Sequence, residues 1–173
     1  LARAGEDGDG PGVARHTMAH GRMTDESGAV GARSIEMRWR DLDAYGHVNN
    51  AVYQTYLEEA RDAAIKQALR GVTERFEHVL ARVAIDFRRE LTLADNPLRV
   101  ECRVVLFGNS SLRTRESIRT ANGAVAAEAE AVVVAIDRAT RRPRSLTEAE
   151  RAALRAAGAS ARDKAAAAEA NTR

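Results

Sequence analysis

Apolar and charged residues alternate where the regular patterning of the chain begins. Ile35, Met37 and Trp39 alternate with Glu36, Arg38 and Arg40. A period of two is typical of a strand that buries one face and exposes the other. The alternation predicts a first β-strand over residues 35–40.

The longest uninterrupted pattern has the helical period. Residues 50–69 contain no Gly or Pro and are rich in residues that favour helices. One apolar stripe runs along this segment and consists of Tyr53, Tyr56, Leu57, Ala60, Ala63, Ala64 and Ala68. A helix of about 18 residues is roughly 27 Å long, enough to cross a sheet. Its alanines predict a close approach to the covering element, and Asn49 or Asn50 is the expected N-cap.

The period of two returns after Gly71. Strands are predicted over residues 83–87, 98–104, 111–119 and 124–136. Asn122-Gly123 is a hairpin signal between the last two, and Thr147 with Glu150 fits a capping box that opens a short helix. These elements predict an α+β fold in which a five-stranded antiparallel sheet wraps a long central helix.

Composition divides the chain into three parts. Residues 1–31 are rich in glycine and lack apolar periodicity, which predicts a flexible N-terminal arm. Residues 158–173 are mostly alanine and charge, which predicts a flexible C-terminal tail. The working domain is therefore expected over residues 32–157.

Charge, cysteine content and the length of apolar segments limit the kinds of protein that this chain could be. The net charge of +2 is too small to indicate nucleic-acid binding. No segment approaches the ~18 apolar residues of a membrane helix, and the single Cys102 closes no internal disulfide. We therefore expect a cytoplasmic protein that binds neither nucleic acid nor membrane. All but two of its basic residues are arginines, which suit phosphates and carboxylates.

The predicted sheet has surfaces that a single copy of the chain does not cover. One helix covers one face of a sheet, and an open sheet has two edge strands with unpaired backbone groups. The sequence therefore predicts self-association, as a homodimer or a dimer of dimers.

The loop before the long helix concentrates the candidate chemistry. Residues 40–50 hold two carboxylates, Asp41 and Asp43, with one imidazole and two carboxamides. A helix start offers unpaired N–H groups and a positive dipole end, which would polarise an acyl carbonyl for attack by a nearby carboxylate. Alternatively, Asp41 and Asp43 only cap a turn. The chain has no nucleophile elbow, P-loop, dinucleotide fingerprint or paired cysteines, and we expect no cofactor and no metal site.

This loop also carries a family resemblance. The run D-x-D-x-x-G-H-V-N-N-x-x-Y from Asp41 to Tyr53 is similar to the 4-hydroxybenzoyl-CoA thioesterase family, as are residues 87–90 and 108–111. The resemblance implies a hot-dog fold, active sites at a dimer interface, and hydrolysis of an acyl-CoA thioester to a carboxylic acid and free CoA. The CoA is then part of the substrate, not a cofactor.

The resemblance also implies roles for individual residues. Asp43 corresponds to the catalytic carboxylate, as nucleophile or general base, and the backbone amide of Asn50 to the group that polarises the carbonyl. His47 either carries a proton or lines the acyl pocket. Residues expected to contact the substrate are Tyr45, Gly46, Asn49, Tyr53, Arg88, Arg89, Ser111 and Arg113. The family's basic run before the fourth strand is replaced here by Gly108-Asn109-Ser110, so which arginines bind the CoA phosphates stays open.

Two other functions fit the same loop. A hot-dog hydratase would add water to an enoyl thioester with Asp43 and His47 as the acid and base pair. A non-catalytic protein would hold an acyl thioester without turning it over. Release of free thiol from acyl-CoA separates these hypotheses.

Overall fold

The computed structural model describes residues 30–157. The first strand begins at Val30, so Val30 and Gly31 belong to the sheet and not to the predicted arm, which is a correction of two residues. The rest of the predicted arm and the whole predicted tail lie outside the described residues.

Five antiparallel strands form one sheet beside one long helix. The strands are β1 (Val30–Ile35), β2 (His78–Phe87), β3 (Leu98–Phe107), β4 (Ser111–Arg119) and β5 (Val125–Ala135). Their order across the sheet is β1-β3-β4-β5-β2, and every neighbouring pair is antiparallel. The long helix α1 (Asn50–Ala68) packs on β1, β3 and β4. A second helix, α2, covers residues 148–157. The α+β architecture predicted from the sequence is confirmed.

The first predicted strand lies too late in the sequence. A strand is expected over residues 35–40, but β1 ends at Ile35, and Trp39 begins a 3₁₀ helix with its side chain 82% exposed. Met37 is still buried, because its side chain packs in the hydrophobic core, while its backbone N–H donates to the Asn96 Oδ1 atom at 2.7 Å. The Arg38 N–H donates to the Asp41 carboxylate at 2.8 Å and starts the 3₁₀ turn. Side-chain hydrogen bonds therefore override the alternation here.

The long helix agrees closely with the prediction. Asn49 is its N-cap, with a side chain that accepts from the Ala51 N–H at 2.9 Å. The expected close approach also occurs, because a Cβ placed on Gly31 would lie 2.7 Å from the Ala64 Cβ. Glycine in β1 therefore lets the helix lie against the sheet.

The core also contains one polar pair that the apolar stripe did not predict. Arg61 of α1 is 1% exposed, and its Nη1 atom lies 3.0 Å from the Oε1 atom of Glu116 in β4. Thr114 donates a further hydrogen bond of 2.6 Å to the same oxygen. Burial raises the pKa of Glu116, and the charge of Arg61 opposes that rise. The pair ties the middle of the helix to the sheet.

The later strands and the short helix match their signals. Asn122-Gly123 forms the predicted hairpin, where Gly123 has a φ of 87°. Thr147 and Glu150 form the predicted capping box, with reciprocal hydrogen bonds of 2.9 and 3.2 Å. β2 begins five residues before its predicted start and forms one edge of the sheet. Among residues 30–157, no helix is both long and apolar enough to span a membrane.

Candidate active site

The loop between β1 and α1 is a tight, hydrogen-bonded turn. Leu42 and Val48 form an isolated antiparallel bridge, and the Asp43 N–H donates to the His47 carbonyl at 2.8 Å. Gly46 sits in the turn with a φ of 82°, a backbone region that favours glycine. These contacts fix Asp43 directly before the start of α1.

The Asp43 carboxylate has one engaged and one available oxygen. Its Oδ1 atom accepts hydrogen bonds from the backbone N–H groups of Tyr45 at 2.8 Å and His47 at 3.2 Å. The Oδ2 atom accepts none from any residue between 30 and 157. The carboxylate is therefore oriented by its own turn while one oxygen stays available to a ligand.

The start of α1 supplies a backbone donor next to this turn. The Asn49 side chain accepts from Ala51, and its carbonyl accepts from the Val52 N–H at 2.8 Å. The N–H of Asn50, the first residue of the helix, has no acceptor within the helix. The positive end of the helix dipole adds to its attraction for a partly negative oxygen.

A cavity of about 290 Å³ brings the two features together. Its lining residues are Asp43, His47, Val48, Asn50, Tyr53, Phe87, Arg88, Arg89 and Glu90. The loop and helix start form one wall, and the end of β2 with the residues after it forms the other. The fold thus joins two segments that are far apart in the chain.

Side-chain contacts hold the two walls in place. The Tyr53 hydroxyl donates to the Arg89 carbonyl at 3.3 Å, and its ring meets Phe87 edge-on with 5.1 Å between centroids. The His47 Nε2 atom lies 3.5 Å from a carboxylate oxygen of Glu90. His47 therefore lines the cavity and is also in contact with Glu90 from the other wall.

The arginines at the cavity already have carboxylate partners. The Nη2 atom of Arg88 lies 2.9 Å from the Oε2 atom of Glu128, and the Nη2 atom of Arg89 lies 2.9 Å from the Oδ1 atom of Asp95. Both arginine side chains are partly exposed, so these pairs contribute little stability.

Asp41, the other carboxylate of the loop, is buried, and several donors converge on one of its oxygens. Its Oδ2 atom accepts from the Tyr56 hydroxyl at 2.8 Å as well as from the Arg38 N–H. Burial alone would raise the pKa of Asp41, but the hydrogen bonds from Arg38 and Tyr56 outweigh it, and the pKa is lowered. Asp41 anchors the loop and is closed to a ligand.

The remaining predicted contact residues do not line this cavity. Tyr45 is 85% exposed, Gly46 forms the turn and Asn49 caps the helix. Ser111 and Arg113 lie on β4. Their predicted roles in substrate binding stay predictions. Within residues 30–157, no three side chains of His, Cys, Asp and Glu are grouped so that they could hold a metal ion.

Three lining residues were not singled out from the sequence as site residues. Val48 lies in the loop itself, whereas Phe87 and Glu90 come from the end of β2 and the segment after it. The signal for the last two was present, since residues 87–90 were among the segments that resemble the thioesterase family.

Comparison with known proteins identifies the same family. Residues 37–156 match the model of the thioesterase-like superfamily. The long-chain acyl-CoA thioesterase FadM of Escherichia coli K12 is 30% identical over 115 residues, which cover 65% of this chain and 87% of FadM.

Solved structures agree with this match. A Thermus thermophilus thioesterase, solved with coenzyme A and Zn, is 34% identical with a TM-score of 0.66, covering 75% of this chain and 94% of its own. A Staphylococcus aureus protein solved with CoA, SAV2348, shares the fold at 13% identity and a TM-score of 0.64, over 75% of this chain and 84% of its own. The chain therefore belongs to the thioesterase-like superfamily, as a thioester hydrolase with the hot-dog fold.

Proposed function

We propose that the chain hydrolyses an acyl-CoA thioester to a carboxylic acid and free CoA, with Asp43 and the Asn50 backbone amide as the reacting and polarising groups. The observation that carries this proposal is one cavity lined both by Asp43, whose Oδ2 atom accepts no hydrogen bond from residues 30–157, and by Asn50, the first residue of α1. Coenzyme A appears in the solved Thermus relative, and acyl-CoA is the substrate class named for FadM. The proposed reaction needs no cofactor.

The Asn50 amide would stabilise the charge that develops on the thioester oxygen. Hydrolysis passes through a tetrahedral intermediate in which the carbonyl oxygen becomes negative. A preorganised backbone donor at that oxygen lowers the barrier by about 3–4 kcal/mol. The positive end of the α1 dipole acts in the same direction.

Asp43 would act in one of two ways. As a nucleophile, its oxygen bonds to the acyl carbon, the CoA thiolate leaves and takes a proton, and water then cleaves the anhydride. As a general base, it takes a proton from water, whose oxygen attacks the acyl carbon before the thiolate leaves. Single turnover in ¹⁸O-labelled water identifies the nucleophilic route when water attacks the Asp43 side of the anhydride, because ¹⁸O then remains in the protein.

Self-association completes the proposal. β2 leaves one edge unpaired within the described chain and exposes Val79, Leu80 and Phe87. A long apolar edge strand is a template for pairing with another strand. We propose a homodimer through β2, with a dimer of dimers as the larger alternative.

Thiol release from a panel of acyl-CoAs tests the proposed function. We expect Asp43→Asn to lower turnover by at least about 100-fold while the protein stays folded. Asp137→Asn is the matched control, because Asp137 lies in an exposed turn and Asn keeps an oxygen acceptor for the N–H groups of Ala139 and Thr140.

Other outcomes identify the alternative functions. Loss of enoyl absorbance without free thiol would identify a hydratase. Saturable binding of acyl-CoA without turnover would identify a binding protein. An Asp43→Asn variant with wild-type thiol release would overturn the assignment of Asp43.

A further inference from the structure

The direction of the Asn50 N–H is set by the peptide unit that it shares with Asn49. The Asn49 carbonyl and the Asn50 N–H belong to one planar trans peptide and point in opposite directions. That carbonyl accepts from the Val52 N–H at 2.8 Å and so points along α1, which turns the Asn50 N–H away from the body of the helix. The orientation of the proposed polarising amide therefore depends on how firmly Asn49 is held.

Asn49 is bonded both to the helix start and to the loop. Its side chain and its carbonyl accept from the N–H groups of Ala51 and Val52, which belong to the first turn of α1. Its own N–H donates to the carbonyl of Asp41 at 2.9 Å, on the opposite side of the loop. Asp41 is therefore the residue through which the loop supports the start of the helix.

The loop itself is a small hairpin whose base is the pair of Asp41 and Asn49. Beyond this pair, antiparallel contacts continue towards the turn, and the Asp43 N–H donates to the His47 carbonyl at 2.8 Å. Asp43 thus lies on the side of the hairpin that begins at Asp41, and Asn50 follows the side that ends at Asn49. A shift of the base would therefore change the position of the carboxylate relative to the amide.

The side chain of Asp41 fixes this base to α1. Its Oδ2 atom accepts from the Tyr56 hydroxyl at 2.8 Å and from the Arg38 N–H at 2.8 Å. Asp41 is 4% exposed and Tyr56 is 1% exposed, so their hydrogen bond is made away from solvent. Hydrogen bonds to an ionised acceptor are roughly twice as strong as neutral ones. Asp41 is thereby attached to the helix twice, by its carbonyl at Asn49 and by its carboxylate at Tyr56.

The position of Tyr56 on the helix suits this second attachment. It follows Asn49 by about two turns, so both residues lie on one face of α1, roughly 10 Å apart along the axis. A helical side chain leans towards the N-terminus, so the Tyr56 hydroxyl reaches back towards the helix start. Burial and the hydrogen-bonded charge of Asp41 both raise the pKa of Tyr56, so the hydroxyl keeps its proton and remains a donor. A rigid ring thus links the base of the hairpin to the second turn of α1.

We propose that Asp41 and Tyr56 are positioning residues for the hydrolysis, because together they hold the Asp43 carboxylate and the Asn50 amide in one fixed arrangement. This inference rests on the proposed function and adds the residues that preorganise its reacting and polarising groups. Asp41 and Tyr56 do not line the cavity, so they act through the hairpin and the helix start and not on the substrate.

The proposal predicts which kinetic constant changes. An oxyanion donor acts when charge develops on the thioester oxygen, and it lowers the barrier only if it lies about 2.7–3.1 Å from that oxygen. A misplaced amide therefore weakens transition-state binding, while the ground-state thioester, which carries little charge, binds almost as before. Loss of the link between Asp41 and Tyr56 should lower kcat and leave KM nearly unchanged.

Two matched variants separate positioning from a loss of stability. Tyr56→Phe removes one hydroxyl donor from the buried Asp41 carboxylate. Thr114→Val removes one hydroxyl donor from the buried Glu116 carboxylate, to which Thr114 donates at 2.6 Å, and Thr114 lies on β4 outside the candidate site. Both changes keep the shape of the side chain and remove a comparable contact from the core. Thiol release from palmitoyl-CoA would be measured for each protein in its folded state, below its unfolding transition.

The two variants should differ in kcat. We expect Tyr56→Phe to lower kcat by about tenfold with KM within about twofold of the wild-type value, because displacing a reacting group by 1 Å costs up to about 100-fold. Thr114→Val should change neither constant by more than about twofold. An equal fall in kcat for both variants would reflect lost stability alone and would overturn the inference.

A double-variant cycle tests whether Tyr56 acts through Asp41. Asp41→Asn keeps an oxygen that can accept from the Tyr56 hydroxyl, but it removes the charge and so weakens that hydrogen bond by about half. Tyr56→Phe should then lower kcat by about threefold in this background, in place of the tenfold expected in the wild type. A tenfold effect in both backgrounds would show that Tyr56 does not act through Asp41, and it would overturn the inference.

Failure of the proposed function would give a different result. A wild-type protein that releases no thiol from any acyl-CoA would overturn the hydrolysis, and this inference with it. Normal turnover by the wild type together with an unchanged kcat for Tyr56→Phe would overturn only the positioning roles of Asp41 and Tyr56.

Discussion

Two aspartates stand two residues apart on the same loop but have different surroundings. Asp41 is buried, and its Oδ2 atom accepts from the Arg38 N–H and the Tyr56 hydroxyl. Asp43 is half-buried and lines the cavity, and its Oδ1 atom accepts only from backbone N–H groups of its own turn. Their surroundings therefore favour a structural role for Asp41 and a chemical role for Asp43.

The hydroxyl of Tyr56 provides a test of the structural role. Tyr56→Phe keeps the ring in the core and removes one donor to the buried Asp41 carboxylate. We expect the free energy of unfolding at neutral pH to fall by about 1–3 kcal/mol, because a buried charged acceptor loses a partner. Denaturant unfolding of the variant and the wild type measures the difference.

The same substitution has a predictable pH dependence. The folded-state pKa of Asp41 lies below its ordinary value of 3.8, so its ionised form stabilises the fold fully above about pH 4. This stabilisation is lost as the pH falls through the lowered pKa. The difference between wild type and Tyr56→Phe should therefore be largest near neutral pH and narrow below about pH 4. A difference that grows on acidification would contradict this account.

The contact between β1 and α1 depends on the absence of a side chain. A Cβ on Gly31 would lie 2.7 Å from the Ala64 Cβ and 3.0 Å from its Cα, which is closer than carbon atoms pack. We expect Gly31→Val to lower the unfolding free energy by about 1–3 kcal/mol by pushing the helix from the strand. Ala32→Val is the control, since Ala32 is exposed on the same strand, and it should change thermal stability little.

The buried ion pair between α1 and β4 makes a second prediction for the helix. Arg61→Met leaves the Glu116 carboxylate buried without its guanidinium, and we expect a loss of about 3–5 kcal/mol in unfolding free energy. Replacing both partners with Met and Leu should cost less than the single change, because no charge then remains buried. Equal losses in the single and double variants would show that the pair itself stabilises the fold.

The sequence predicted those elements whose signals are local. The helix from Asn50, its cap at Asn49 and the Asn122-Gly123 hairpin each depend on neighbouring residues, and the structure confirms all three. The first strand was misplaced because Met37 lies beyond β1, where its side chain packs in the core and its backbone pairs with the side chain of Asn96, 59 residues away. Alternation cannot distinguish that burial from burial in a sheet.

The sequence predicted those residues of the candidate site that lie close together in the chain, and it did not predict partners from distant segments. Asp43, His47 and Asn50 lie within one loop, and the cavity brings them together. Glu90, which faces His47, comes from beyond β2 and is placed there only by the sheet order. The burial of Arg61 has no local signal either, because its partner Glu116 is 55 positions away.

At the scale of the whole molecule, two cavities lie at opposite ends of α1. The helix start lines the candidate active site together with Asp43, and the last turns line a second cavity together with Phe76 and His78. The two ends of this 19-residue helix are roughly 28 Å apart. In the homodimer proposed through β2, a two-fold axis at the middle of that strand would bring opposite ends of the two helices together.

The register of that interface can be tested by charge reversal. Arg82 and Asp86 are both exposed on β2, and with the axis at Ala84 each pairs with the other residue of the second copy. Asp86→Arg would then set an arginine at position 86 of each copy against Arg82 of the other. Because both contacts are repulsive, we expect the dimer Kd to rise at least tenfold. Arg82→Asp combined with Asp86→Arg exchanges the two charges, restores both attractive pairs and should return the Kd towards the wild-type value.

Sedimentation equilibrium at low salt measures all three proteins, because screening weakens such exposed pairs. A double variant that dimerises no better than the single one would exclude this register.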